Sequence, residues 1–275
     1  MPRLFDRKCR VEIDGEGVRA SIEDLRVTFS VNKTRSWVSE MQVRVYNVNP
    51  DTRLTANKSR ATVRLFAGYG TPLLVAQAQI TFVVVEREPP DIILAMDCLD
   101  GIVDLRRTRV SLSFERGATV GQVLEAVTEQ LGLPVRPIEV DLESPLRGGY
   151  SHVGGVGTAL DDMVEQVNAV WSIQNGEILI LESGQPIPGE VALISPESGM
   201  IGSPEPIDEE LGFDDIGGEP RFGYTVRTLL QPQIEPGQQV RIESADVRGL
   251  FRVEEIEHKG DTHGPDFESI MKLYE

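Results

Sequence analysis

The chain has 275 residues, 40% of them hydrophobic, which is enough for about two or three domains with cores of their own. Its formal net charge of −17 opposes the basic footprint that nucleic acid requires, and disfavours an anionic membrane surface for the same reason. The longest apolar runs, such as FVVV at 82–85 and ILIL at 178–181, fall far short of the ~20 residues of a membrane helix, and no apolar stretch follows the basic residues of MPRLFDRKCR, so neither a membrane span nor a signal peptide is expected.

In chain order, LRVTFSV at 25–31 and MQVRVYNV at 41–48 alternate cleanly. Leu25, Val27, Phe29 and Val31 share one face, and Met41, Val43 and Val45 share one face of the next segment, as half-buried antiparallel strands require. NVNPDT at 47–52 predicts a turn that stops the second strand, because Pro50 cannot donate to a ladder. AGYG at 67–70 stops the next one with two glycines, and Glu88-Pro89-Pro90-Asp91 predicts a turn between long strands. Only Cys9 and Cys98 occur; without an export signal both are expected to be reduced thiols on strands.

The periodicity changes after Asp100-Gly101. Val120, Val123, Leu124, Val127 and Leu131 follow the spacing of an amphipathic helix over 119–131, with Gly132 placed to close it. A second helix is predicted to start near Thr158, which with Asp161 resembles a capping box, and to bury Leu160, Met163, Val164 and Val167. Asn175-Gly176 then predicts a tight hairpin within VWSIQNGEILIL at 170–181. SGQPIPGE at 183–190 reads as a linker. After VALI at 191–194 comes a Pro-, Gly- and acid-rich stretch, expected to be a loop, whose core IDEELGFDDIGGE at 207–219 carries six carboxylates and no base. Strand patterns resume at FGYTVRTLL, 222–230.

The last third of the chain repeats the plan of the first. TVRLF at 62–66 opens a series continued by 74–86 and 91–99, and QVRIE at 239–243 opens one continued by 249–257 and 266–274. Each copy is a strand, a loop, a long strand, a tight turn and a closing strand. Two like β units per chain become six in a trimer. The expected class is therefore mainly β with a small α/β insert, divided into residues 1–100, 101–184 and 185–275, with an acidic loop at 203–221 in the last part.

No cluster of residues points to chemistry as clearly. His258, Asp261 and His263 are a possible metal set, but Lys259, Gly260 and Gly264 make 257–264 look like the turn between the last two strands, and no fourth ligand is indicated. His152 is flanked by glycines and remote from the others. GGVG at 154–157 precedes a helix, yet it fits neither phosphate-loop spacing, and Asp161 and Asp162 would repel an anion. Glu254-Glu255 and Asp214-Asp215 lack the paired apolar and polar settings of glycosidase acids, and no Gly-x-Ser-x-Gly elbow occurs. No catalytic residue, metal or cofactor is expected. The acidic loop is the one candidate contact: Asp208, Glu209, Glu210, Asp214 and Asp215 create a field that would dock a basic partner or a neighbouring subunit.

YNVNPDT (46–52), AGYG (67–70), DCLDG (97–101), WSIQNGEIL (171–179), SPESGMIGSPE (195–205), LLQPQIEPG (229–237) and EHKGDTHG (257–264) occur in this order over nearly the whole chain. Together they resemble the baseplate hub proteins of contractile-tailed phages, the Mu-like late control tail family. Phe267 stands where that family more often has Trp. The resemblance implies two β-barrels of the tail-tube fold in one chain. It further implies a homotrimer of pseudo-sixfold symmetry joining the hexameric tail tube, or a tube-initiator protein, to the trimeric central spike, with baseplate wedge proteins nearby. It places the protein in the virion tail baseplate, assembled in the host cytoplasm, and brings no catalytic residue. The alternatives are a β-domain binding module unrelated to tails, or a tail-associated hydrolase of cell wall or polysaccharide.

Overall fold

The computed structural model describes residues 6–35, 38–101, 105, 108–138, 140–207 and 222–275. Seven strands form the first unit: β1 (Arg7–Gly15), β2 (Val18–Ile22), β3 (Val27–Thr34), β4 (Glu40–Tyr46), β5 (Thr62–Tyr69), β6 (Leu73–Glu88) and β7 (Asp91–Leu99). They lie antiparallel in the order β3-β4-β7-β6-β5-β1-β2. Alternation sends one face of each inward, and Ile13, Ile22, Val31, Val43, Leu65, Ala78 and Met96, one from each strand, meet in a single core. A core lined by every strand requires the sheet to curl into a barrel. Cys9 and Cys98 are free thiols in this core, and burial pushes both up to about 12.

The turn expected at 47–52 is instead a short helix, α1 (Pro50–Ala56). Asn49 caps it by accepting from the Thr52 amide at 2.8 Å, and Pro50 stands in the first turn, where no amide is needed. The residues that stop a strand are here the ones that start a helix.

The insert contains β8 (Arg109–Phe114), α2 (Val120–Leu131), β9 (Val135–Ile138), β10 (Tyr150–Gly155), α3 (Val156–Gln166), β11 (Ala169–Gln174) and β12 (Glu177–Glu182). Helix α2 starts as expected, with a Thr119–Gln122 capping box, and ends on left-handed Gly132. Helix α3 begins two residues before Thr158, on Gly155 and with no side-chain cap, because β10 runs directly into it. Asn175 and Gly176 take φ of 56° and 81° and close the β11–β12 hairpin. Strand β8 alternates over Val110, Leu112 and Phe114 and was missed, whereas β9 and β10 carry too little alternation to be read from sequence; β8 pairs with β10, and β9 joins β12 in parallel.

The second barrel comprises β13 (Ile187–Ile194), β14 (Met200–Pro206), β15 (Gly223–Leu229), β16 (Gln238–Glu243), β17 (Arg248–Asp261) and β18 (Phe267–Tyr274). Its order is β14-β15-β18-β17-β16-β13, and Ile194, Met200, Val226, Ile242, Val253 and Met271 fill its core. The expected linker at 183–190 overlaps β13, which gains hydrogen-bond partners by running parallel to β16. The expected loop at 203–221 likewise begins inside β14.

The repeat predicted from sequence is present strand for strand. In the first copy Gln79 of β6 stands opposite both Thr62 of β5 and Leu99 of β7; in the second, Arg252 of β17 stands opposite both Gln239 of β16 and Tyr274 of β18. Two residues later each long strand carries one extra residue, Thr81 and Glu254, where the register to the closing strand shifts. Such a bulge bends the strand and exchanges its faces, so that Val253 and Ile256 can both point inward. The fold is mainly β with a small α/β insert and two barrels, as the sequence led us to expect.

The barrels are joined by β17 itself. Beyond its bulge it pairs with β3 over seven positions, from Glu255 opposite Thr34 to Asp261 opposite Thr28, and makes one 13-stranded sheet of both units. Gly260 faces Phe29 across this seam, and a Cβ there would lie 2.3 Å from the Phe29 ring, which meets Phe267 edge-on at 6.0 Å. Gly260→Ala should therefore force Phe29 from its site and lower the unfolding free energy by about 1–3 kcal/mol in urea titration; an unchanged midpoint would show that the seam accommodates the added methyl group.

Candidate functional site

The five acidic residues singled out from sequence, Asp208, Glu209, Glu210, Asp214 and Asp215, lie outside the described residues. The His258, Asp261 and His263 set is separated by the strand it sits on. His258 and Lys259 belong to β17 rather than to a turn, because β18 and β3 supply partners on both sides of that segment. His258 is fully buried, with Nδ1 2.8 Å from Ser269 Oγ. Asp261 takes Arg26 Nη2 at 2.7 Å, and His263 meets the Thr262 hydroxyl. Among the described residues no group of three His, Cys, Asp or Glu could hold a metal. His152 lies 3.1 Å from the Gly155 carbonyl through Nε2. Asp161 and Asp162 accept from Trp171 Nε1 at 2.7 Å and Tyr150 OH at 2.9 Å, and Glu255 pairs with Lys272 at 3.1 Å.

A polar cluster missed by sequence reasoning occupies the place where both barrels and the insert meet. Lys33 continues the inward face of β3 and is fully buried, with Nζ 2.8 Å from both carboxylate oxygens of Glu235. Burial, reinforced by the Lys33 charge, pushes the neighbouring His258 down to about 3, so it is neutral. Glu254, the bulged residue of β17, receives Arg252 Nε at 3.3 Å and lies 3.7 Å from Arg35 Nη1. The same two guanidiniums reach the chain leaving the insert: Arg35 donates to the Glu182 carbonyl at 2.8 Å, and Arg252 to that of Gly184. At the insert's entrance both Asp100 oxygens accept from the Gly176 amide at 3.2 Å, and Asn175 accepts from the Gln77 amide. The tight turn of the insert is thus tied to β6 and to the residue that follows β7. This arrangement holds parts together; the Ser269 hydroxyl against His258 is buried with it and faces no cleft.

Exposed apolar surface is the second feature missed. Phe82 (59% exposed), Val84 (37%) and Val85 (41%) occupy the outer half of β6, beside Leu54 (63%) of α1. Val83, Val85, Pro50 and Leu54 line a cleft between helix and strand. The only signal in the sequence was the run FVVV itself, which a buried strand would show equally well.

No protein-family model and no curated protein matches the chain. Solved structures do. The tail protein from Neisseria meningitidis MC58 is 11% identical, with a TM-score of 0.69 over 97% of this chain and 96% of that one. The 43 kDa tail protein of prophage MuSo2 from Shewanella oneidensis is 10% identical, with a TM-score of 0.68 over 96% of each chain. The E. coli c3393 protein, described as a component of the type VI secretion system with structural similarity to the T4 tail proteins gp27 and gp5, is 11% identical, with a TM-score of 0.63 over 95% of this chain and 76% of that one. At these identities the likeness is one of fold.

Asp100 offers a pH test of the cluster. Burial raises its carboxyl to about 6 from 3.8, against the opposing pull of the Gly176 amide. Between these values the folded chain keeps a proton that the unfolded chain has released, so this group's contribution to stability falls as pH rises from 4 to 6. His258 has the opposite sign: its contribution is full above pH 6.5 and is lost as pH falls towards 3. Asp100→Asn should gain on the wild type by up to about 3 kcal/mol between pH 4 and pH 7, measured as the difference of two urea-derived stability curves. Parallel curves would contradict the assignment.

Proposed function

We propose that this chain is a structural protein of a phage-type tail, the hub of a contractile baseplate, and not an enzyme. Three copies form a ring of six barrels that meets the hexameric tail tube, or a tube-initiator protein, on one side and the trimeric spike on the other, with wedge proteins outside. Assembly takes place in the host cytoplasm and the product resides in the virion baseplate. The observation that carries this reading is the duplicated meander with its bulge at the same register in both copies. A ring of three chains, each with two like barrels, presents nearly equivalent surfaces to a sixfold partner. The fold shared with tail proteins along almost the full chain supports the same reading, as do charged groups that are engaged in ion pairs rather than aimed into a pocket. On this reading the chain divides into barrels at 1–100 and 185–275 and an insert at 101–184 that cannot obey the sixfold repeat and lies at the periphery or on the spike side.

Light scattering of the purified protein, alone and with its spike, should give three copies of the 30.4 kDa chain per particle. A chain that stays monomeric with both spike and tube present would exclude the hub. The acidic residues Asp208, Glu209, Glu210, Asp214 and Asp215 are proposed to contact a basic face of the spike, the tube or a neighbouring subunit. Replacing all five by their amides should weaken that association at least tenfold at low salt and flatten its salt dependence; an unchanged salt profile would assign the loop no part in it.

A further inference from the structure

Among the described residues, the outer half of β6 and the outer side of β14 are two strand edges without a strand partner. The internal register makes residues 82–88 of β6 the counterparts of 255–261 of β17, since both stretches come after the bulge and both pair with the closing strand of their meander. In β17 the opposite side of this stretch is covered by β3. In β6, pairing with β5 stops at Gln79, and among the described residues no strand covers the side left open. The counterpart of β3 in the second barrel is β14: β3 reaches β7 through β4, as β14 reaches β18 through β15. Among the described residues the outer side of β14 is also the end of the sheet.

We propose that residues 82–88 of β6 receive β14 of a second copy of this chain, in the register in which β17 receives β3 within one chain. This places Val84 opposite Ile207, Val85 opposite Pro206 and Glu86 opposite Glu205 of the neighbouring copy. Glu86 enters the joint already paired with Arg44, which offsets its approach to a second carboxylate. Two observations support a strand as the occupant, the apolar residues on this edge and the like contact already made within the chain. Phe82, Val84 and Val85 are exposed on an edge, where an unpaired apolar strand would otherwise aggregate. The Ile207 amide donates inward to the Gly223 carbonyl, so Pro206 turns its missing donor outward. In the proposed register Pro206 therefore leaves the Val85 carbonyl without one ladder partner, while its own carbonyl can accept from the Val85 amide. Pairing β6 of one copy with β14 of the next makes the joint heterologous, and it propagates head to tail, as a closed ring requires. It also repeats a contact the chain has already made, so it needs no new geometry.

The proposal rests on the ring reading but can fail separately from it. The test is the full-length Val84→Cys/Ile207→Cys variant beside each single variant, oxidised and run on non-reducing gels and by light scattering. These positions face each other as a pair without mutual hydrogen bonds, where side chains approach most closely. The native Cys9 and Cys98 are buried. The double variant should convert most of its chains to covalently linked species no larger than trimers, and the single variants should stay within a few per cent of background. Trimers that form without cross-links would overturn the joint and leave the ring standing. Covalent dimers from Val84→Cys alone would overturn it by showing β6 against β6. A protein that remains monomeric with spike and tube would remove both.

Discussion

The ladder between β3 and β17 is the constraint on which the rest of the molecule depends. It turns two barrels with separate cores into one sheet, and it does so around a lysine that no barrel would bury alone. Lys33 continues the alternating inward face of β3, and Glu235 from the other barrel pairs with its ammonium there. A lysine left at that depth without its carboxylate would cost on the order of 3 kcal/mol, so the pair disfavours any arrangement in which the barrels separate or slip. A slip by one residue would also carry Gly260 away from the Phe29 ring that fills its place.

The bulge in each long strand is what gives a repeated meander two different uses. Before Thr81 or Glu254 the long strand belongs to its own barrel; after it, the strand bends away and offers an edge. In β17 that edge closes on β3, and the bulged Glu254 gathers Arg35 and Arg252, which reach the exit of the insert. In β6 the corresponding residue is a threonine whose hydroxyl donates to the Asp97 carbonyl, and the edge stays open. One motif thus makes an internal joint in one copy and, among the described residues, leaves an unpaired edge in the other.

The chemistry of the molecule reflects the same division. Ionisable groups that look like ligands or catalysts in sequence are absorbed by strand pairing: His258 between two strands, Asp261 by Arg26, Asp162 by Tyr150. Each of these groups ties neighbouring elements together instead of facing a cleft.

Much of this was legible in the sequence where a residue's conformation depends on its immediate neighbours. Alternation over 25–31 and 41–48 determined the strands and their inward faces, Asn175-Gly176 the hairpin, Thr119 and Gly132 the ends of α2, and the spacing of strands the repeat. Pro50 shows the limit of that reading, because the same residue stops a strand or opens a helix according to its surroundings in space. Strands β13 and β14 lay within segments read as linker and loop, since their hydrogen-bond partners come from β16 and β15, far along the chain. Tertiary structure alone decided that Lys33 is buried, that EHKGDTHG begins as strand, and that FVVV faces outward, for each depends on which surface arrives across a pairing of residues more than a hundred positions apart or fails to arrive at all.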